Sequence, residues 1–248
     1  MSKKNKIKSM LAIIFYLLPT LSVAQDHIEN PPPDVIIYMN DFPPYAYINE
    51  NQMVEGPWVE KISDYLDQTN LSYQIDIVPW QRAYLEATTK DNVLIAHLDR
   101  TTEREAQFHW LVPVTSLTYS LIAHTNSEFI GQTLDEILAS YGTVICSKGT
   151  AHCNILRSVG FPEGQILEFA TYDAAHFHSL IAEKRVDFML EDFEAMQQQL
   201  EKLGIYSTSI IDLFPISTIT SYLAASKNIN PAILEQLHEV ENIGDMVE

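Results

Sequence analysis

The chain has 248 residues, with 33 acidic side chains against 15 basic ones and a formal charge of −18. That balance excludes a non-specific nucleic-acid binder, which needs Lys and Arg to neutralise phosphates, and a polybasic membrane-surface protein. With 46% hydrophobic and 19% charged residues the chain is not a disordered acidic tail, and two cysteines are too few for a disulfide-stapled scaffold or a four-thiolate zinc site.

Residues 1–24 read as an address. Lys3, Lys4, Lys6 and Lys8 precede a nine-residue apolar run at 10–18, Pro19 breaks it, and Ser22-Val23-Ala24 supplies small residues for a signal peptidase. The run is shorter than the roughly 20 residues that span a bilayer. Cleavage before Gln25 would remove four lysines and no acid, taking the charge to −22 from the −18 of the whole chain. An exported chain meets an oxidising compartment. Cys146 and Cys153 are then candidates for a disulfide, with a Cys–His metal site using His152 or the His176/His178 pair as the alternative.

Beyond Pro31-Pro32-Pro33, apolar runs alternate with helical patterns. Residues 35–39 form a continuous apolar run, as in a buried parallel strand. Trp58, Ile62, Tyr65 and Leu66 share one face of a helix over 57–69. An alternating strand at 73–77, a short helix at 81–87, a buried strand at 93–96 and a β-like run at 119–123 follow. The pattern then restarts. Thr133 caps a helix to 140, ahead of a strand at 143–146 and a turn at Lys148-Gly149-Thr150 into a helix over 151–159 that Gly160 ends. Strands at 166–169 and 186–190 flank a helix capped by Asp173, and Phe193, Met196, Leu200 and Leu203 mark a helix over 192–203. Strands at 209–213 and 221–225 precede a last helix opened by Pro231. Two successive blocks of this kind predict an α/β architecture with two mostly parallel sheets.

Ligands in such sheets bind at the carboxyl ends of strands. The loops there carry aromatics (Tyr45, Tyr47), then His97, Asp99, Arg100 and Arg104, then Gly149-Thr150 at a helix start, and Glu191-Asp192 at another. Arginine captures carboxylates in bidentate fashion, and an aspartate can receive an ammonium group, so the set suits a zwitterion.

In family order, the segments DFPPYAY at 41–47, Gly56 before a helix, Val78-Pro79-Trp80, RTTERE at 100–105, KGT at 148–150 and RVDFMLED at 185–192 resemble those of bacterial periplasmic solute-binding proteins of family 3, the polar amino-acid class. The resemblance implies a two-lobed type II periplasmic binding fold. Lobe one would hold 34–113 plus 222–248, lobe two 119–216, and the hinge 114–118 and 217–221. It implies that Arg104 grips a ligand carboxylate, Asp192 an ammonium group and Gly149-Thr150 the carboxylate again, with Tyr45, Tyr47, Trp80, His97, Asp99 and Arg100 as further candidates to line the cleft. It also implies a monomer in the periplasm that takes a small polar solute, uses no cofactor or metal, binds no nucleic acid and delivers to an inner-membrane ABC permease. The residues depart from the family pattern at Met39, where an aspartate is common, and at His97 and Asp99, which replace small hydroxyl residues. Two rival readings share the fold. One is an enzyme similar to cyclohexadienyl dehydratases, with His97, Asp99 and Glu191 as acid/base groups. The other is a sensing module for a membrane receptor.

Overall fold

The computed structural model describes residues 31–170 and 172–240. The leader read at 1–24 and residues 241–248 of the predicted lobe one lie outside them. Among the described residues no helix is long and apolar enough to cross a membrane.

The first half of the chain contributes β1 (Val35–Met39), the small hairpin β2 (Tyr47–Ile48) and β3 (Val54–Glu55), α1 (Pro57–Leu66), β4 (Tyr73–Ile77), α2 (Trp80–Thr89) and β5 (Val93–Asp99). After the long strand β6 (Phe108–His124) come α3 (Leu134–Leu138), β7 (Val144–Ser147), α4 (Ala151–Ser158), β8 (Ile166–Phe169), α5 (Ala174–Ala182), β9 (Phe188–Asp192) and α6 (Phe193–Lys202). A second long strand, β10 (Ile210–Ser226), and α7 (Pro231–Glu239) complete it.

The main sheet runs β4-β1-β5-β10-β6-β9-β7-β8. Its two ends are parallel, β4-β1-β5 and β9-β7-β8, and the antiparallel pair β10/β6 joins them. The two mostly parallel sheets expected from the sequence are thus the ends of one hydrogen-bonded sheet. They are continuous because β6 and β10 are 17 residues each, where the pattern predicted only short strands at 119–123, 209–213 and 221–225. The residues between mix Thr, Ser and Pro with apolar side chains, as in FPISTIT at 214–220 and PVTSLT at 113–118, and so hide a strand from a hydrophobic pattern. They pair here through hydroxyls, Ser116 with Thr220 and Thr118 with Thr218, each at 2.9 Å. Several register shifts between β10 and β6 bend the ribbon without breaking it.

The helices end as their sequences dictate. Thr133 and Glu136 form a reciprocal capping box, and the Asp173 side chain accepts from the His176 N–H. Tyr65 is buried on α1 and donates to the Leu237 carbonyl at 2.5 Å, tying α7 back to the first half. Cys146 and Cys153 are joined in a disulfide, so neither thiol is available to a metal. Among the described residues no cluster of three or more His, Cys, Asp or Glu is placed to hold one. The bridge closes a short loop between β7 and the first turn of α4. Replacing both cysteines by alanine should lower unfolding stability by about 2.5 kcal/mol through the lost constraint on the unfolded chain. Urea titrations of the pair variant check this, and an unchanged midpoint would refute it.

Candidate functional site

The carboxyl ends of β1, β5 and β9 and the start of α4 converge on a cavity of about 60 Å³. Asn40, Phe42, Trp80, His97 and Asp99 line it from the first half, Leu117 and Tyr119 from β6, and Thr150, His152, Tyr172 and Glu191 from the second. A larger groove of about 430 Å³ shares Asn40, Trp80 and Tyr172 with it and adds Asp41 and Ser147.

His97 reaches the cavity through a backbone irregularity. Leu98 faces Tyr222 and Ile95 faces Ala224, so β5 carries one residue more than β10 between these pairs. His97 takes up the excess at φ +57°. Such a bulge re-aims a side chain. The imidazole turns onto Trp58, ring centroids 4.0 Å apart, in a stack that Tyr45 continues on the far face of the indole at 4.7 Å. Burial pushes His97 down to about 4, and the nearby Asp99 carboxylate only partly offsets it. The ring is therefore neutral, and its Nε2 has no hydrogen-bond partner among the described residues.

Asp99 is buried and accepts from the Tyr119 hydroxyl at 3.1 Å and from the Ser221 hydroxyl. Across the cavity, Glu191 is only 3% exposed. Its Oε1 lies 3.3 Å from His152 Nδ1, but the geometry is not that of a hydrogen bond and both atoms lack an aligned partner among the described residues. Burial alone would depress His152, yet the Glu191 and Asp99 carboxylates outweigh it and raise its pKa. Burial, reinforced by Asp99 and Glu191, lifts the Tyr119 phenol well above its usual range, and Tyr172 is raised likewise by burial and Glu191. Both phenols therefore act as neutral hydroxyls.

Of the ten residues singled out by sequence, the structure brings four to the cavity wall: His97, Asp99, Trp80 and Thr150. The other six are placed differently. Arg104 is 6% exposed and donates to the Asp99 carbonyl at 3.0 Å and the Gly149 carbonyl at 2.9 Å. Its guanidinium is flanked by Trp80 and Tyr84, at 5.5 and 5.4 Å. It joins one end of the sheet to the other and does not line the cavity. Gly149 contributes its carbonyl to this joint, taking a further bond from Trp80 Nε1 at 3.0 Å. Asp192 spends one carboxylate oxygen on the Ala195 N–H at the start of α6 and the other on the Thr118 N–H. Arg100 is exposed, in a two-bond ion pair with Glu105 at 2.6 and 2.8 Å. Tyr45 lies behind Trp58, and Tyr47 lies under Lys202, whose Nζ is 3.6 Å from its ring centroid.

Of the other lining residues, the sequence reading named His152 only as a possible metal ligand and Glu191 only in the cleft loops and as an acid/base group, and it did not select Asn40, Phe42, Leu117, Tyr119 or Tyr172 as ligand contacts. For Glu191 a signal existed. Neighbours on a strand point to opposite faces, so once Asp192 is assigned to the helix cap, Glu191 must face the other way.

No curated protein matches the chain in sequence. Among solved structures, a histidine kinase sensor domain with similarity to periplasmic binding proteins matches with TM-score 0.69 and 14% identity, over 83% of this chain and 87% of that one. The arginine-bound form of truncated ArgBP from T. maritima matches with TM-score 0.65 and 17% identity, over 83% and 93%. The arginine-, lysine-, histidine-binding protein ArtJ from Geobacillus stearothermophilus matches with TM-score 0.67 and 13% identity, over 83% and 87%. At these identities the likeness is one of fold, that of the type II periplasmic binding proteins. The family model for bacterial extracellular solute-binding proteins, family 3, matches residues 35–240, nearly the whole described chain, and the protein belongs to that family.

Proposed function

We propose that the protein is a periplasmic solute-binding protein that captures a small polar solute by closing two lobes on it, for delivery to an inner-membrane ABC importer. The lobes would be 34–113 plus 222–248 and 119–216, turning about the middle of the two long strands at 114–118 and 217–221. One observation carries this reading. One cavity takes His97 and Asp99 from one end of the sheet and His152 and Glu191 from the other. A solute touching both pairs binds the closed arrangement better than an open one, which is what couples capture to closure. The bridging pair expected from sequence, Arg104 with Asp192, is occupied by internal bonds. The bridge is therefore assigned to Asp99 and His97 on one side and His152 and Glu191 on the other.

A true solute at about 100 times its dissociation constant should stabilise the protein by roughly 2.7 kcal/mol. Thermal melting against a panel of amino acids, amines and organic acids measures this, and a panel with no shift anywhere would sink the capture reading.

The enzyme reading has one observation in its favour, since His97, Asp99 and Glu191 do share the cavity. Elimination from a prephenate-like acid also needs a cation to hold the substrate carboxylate, and no Lys or Arg is among the residues that line the cavity or the groove. Binding therefore remains the better account of the site.

A further inference from the structure

We propose that the solute is a small organic cation with an ammonium or amidinium head and no carboxylate beside it. This rests on the capture reading and narrows it. The cavity presents two buried carboxylates, Asp99 and Glu191, and the adjoining groove an exposed one, Asp41. No lysine or arginine side chain lines either space. The guanidinium in the position where a carboxylate clamp was expected, Arg104, is committed to two backbone carbonyls. An incoming carboxylate would therefore meet two buried acids and aromatic side chains, and His152, the basic group that the acids hold toward its charged form, already lies 3.3 Å from Glu191; a buried charge left without a partner of its own is strongly disfavoured.

The same walls suit a cation. Glu191 Oε1 is an acceptor without an aligned donor, held on a side chain that is only 4% exposed at the cavity wall. Asp99 is fixed by Tyr119 and Ser221 and lines the same cavity from the other end of the sheet. Trp80, Phe42 and Tyr172 add aromatic rings to the wall, and such rings attract ammonium and guanidinium groups. The cavity volume of about 60 Å³ holds roughly four or five water-sized groups. That is room for a compact head, with any chain running out past Trp80 and Tyr172 toward Asp41.

Matched pairs differing only by the carboxylate test this by isothermal titration: ethanolamine against serine, putrescine against ornithine, and agmatine against arginine. At least one amine should bind, and about 30-fold or more tighter than its amino acid, the cost of burying an unpaired charge. Glu191→Gln, which keeps shape and removes charge, should weaken that amine about 10- to 100-fold. If an amino acid binds as tightly as its amine, or Glu191→Gln leaves amine affinity unchanged, the cation inference is wrong while capture stands. If nothing in either column binds and organic acids also fail, the capture reading falls with it.

Discussion

His97→Asn should flatten the acid limb of the stability curve between pH 6.5 and 4. In the folded protein His97 is pushed from 6.5 down to about 4 by burial. The unfolded chain therefore takes up a proton on this residue across that window while the folded one does not. Stability falls as the pH drops through the window and levels off below it. At 1.36 kcal/mol per unit the loss is about 3 kcal/mol. The charged and titratable groups that face the ring are Asp99, which favours the imidazolium, and His152 and Arg104, which oppose it. His152 is shifted the other way. Its contribution is fully present below 6.5 and is lost as the pH rises above that, so it does not overlap the window of His97. Asparagine tolerates the left-handed backbone that position 97 requires. The variant should thus lose the ring stack on Trp58 at every pH but lose the slope only in acid. Urea unfolding of both proteins at pH 7 and pH 4 gives the answer. Parallel pH profiles would show that His97 is solvated after all. Carboxylates held low by partners, such as Glu136 on Thr133, contribute to both proteins equally and cancel in the difference.

Gly56→Ala should be the most damaging small substitution in the loop region. Gly56 sits at φ +127°, ψ 162°, a conformation essentially confined to glycine. A Cβ there would stand 2.2 Å from the Tyr45 carbonyl oxygen and 2.5 Å from its carbon. Both are backbone atoms, so no side chain can swing aside. That same carbonyl accepts the Trp58 N–H at 3.1 Å, and the segment it belongs to carries Phe42 into the cavity wall. Strain and clash together should cost about 3 kcal/mol or more, lowering the melting temperature by roughly 6–12 °C for a chain of this size. Solute affinity should drop as well, because the Phe42 wall must move. Gly164→Ala, where an added Cβ meets nothing within 4 Å, is the control, expected within about 0.5 kcal/mol of wild type. A Gly56→Ala loss no larger than that of the control would contradict the account.

These two positions also show what a sequence can and cannot disclose. The element pattern was legible because it is local. The apolar run at 35–39 needs both faces buried, and Thr133, Asp173 and Asp192 each cap the helix that follows them. Gly56 was legible as a motif glycine, although the carbonyl it accommodates was not. The bulge that turns His97 inward depends on the register of β10, some 125 residues later, and no local pattern encodes it. Arg104 illustrates the same limit. A buried guanidinium takes whichever acceptors the fold delivers, and the fold delivers the carbonyl of Gly149 from the opposite end of the sheet. The middles of β6 and β10 were missed for a third reason. Their cohesion comes from backbone pairing and hydroxyl contacts, which a hydrophobic pattern does not register.

The joint built on Gly149 has a kinetic consequence. Arg104 and Trp80 both donate to its carbonyl, Gln81 donates to the Ala170 carbonyl, and Lys202 covers Tyr47. These contacts span the two ends of the sheet and belong to the protein alone. At about 1 kcal/mol net for each of the three hydrogen bonds, they would, if the proposed lobes close, supply roughly 3 kcal/mol toward closure before a solute adds its own share. Under the capture reading, association would then wait on an opening step and run below the rate set by diffusional encounter. Departure would be slowed by the same latch. Such a protein trades rapid exchange for long residence, and an unloaded closed form would compete with the loaded one for any partner that recognises closure.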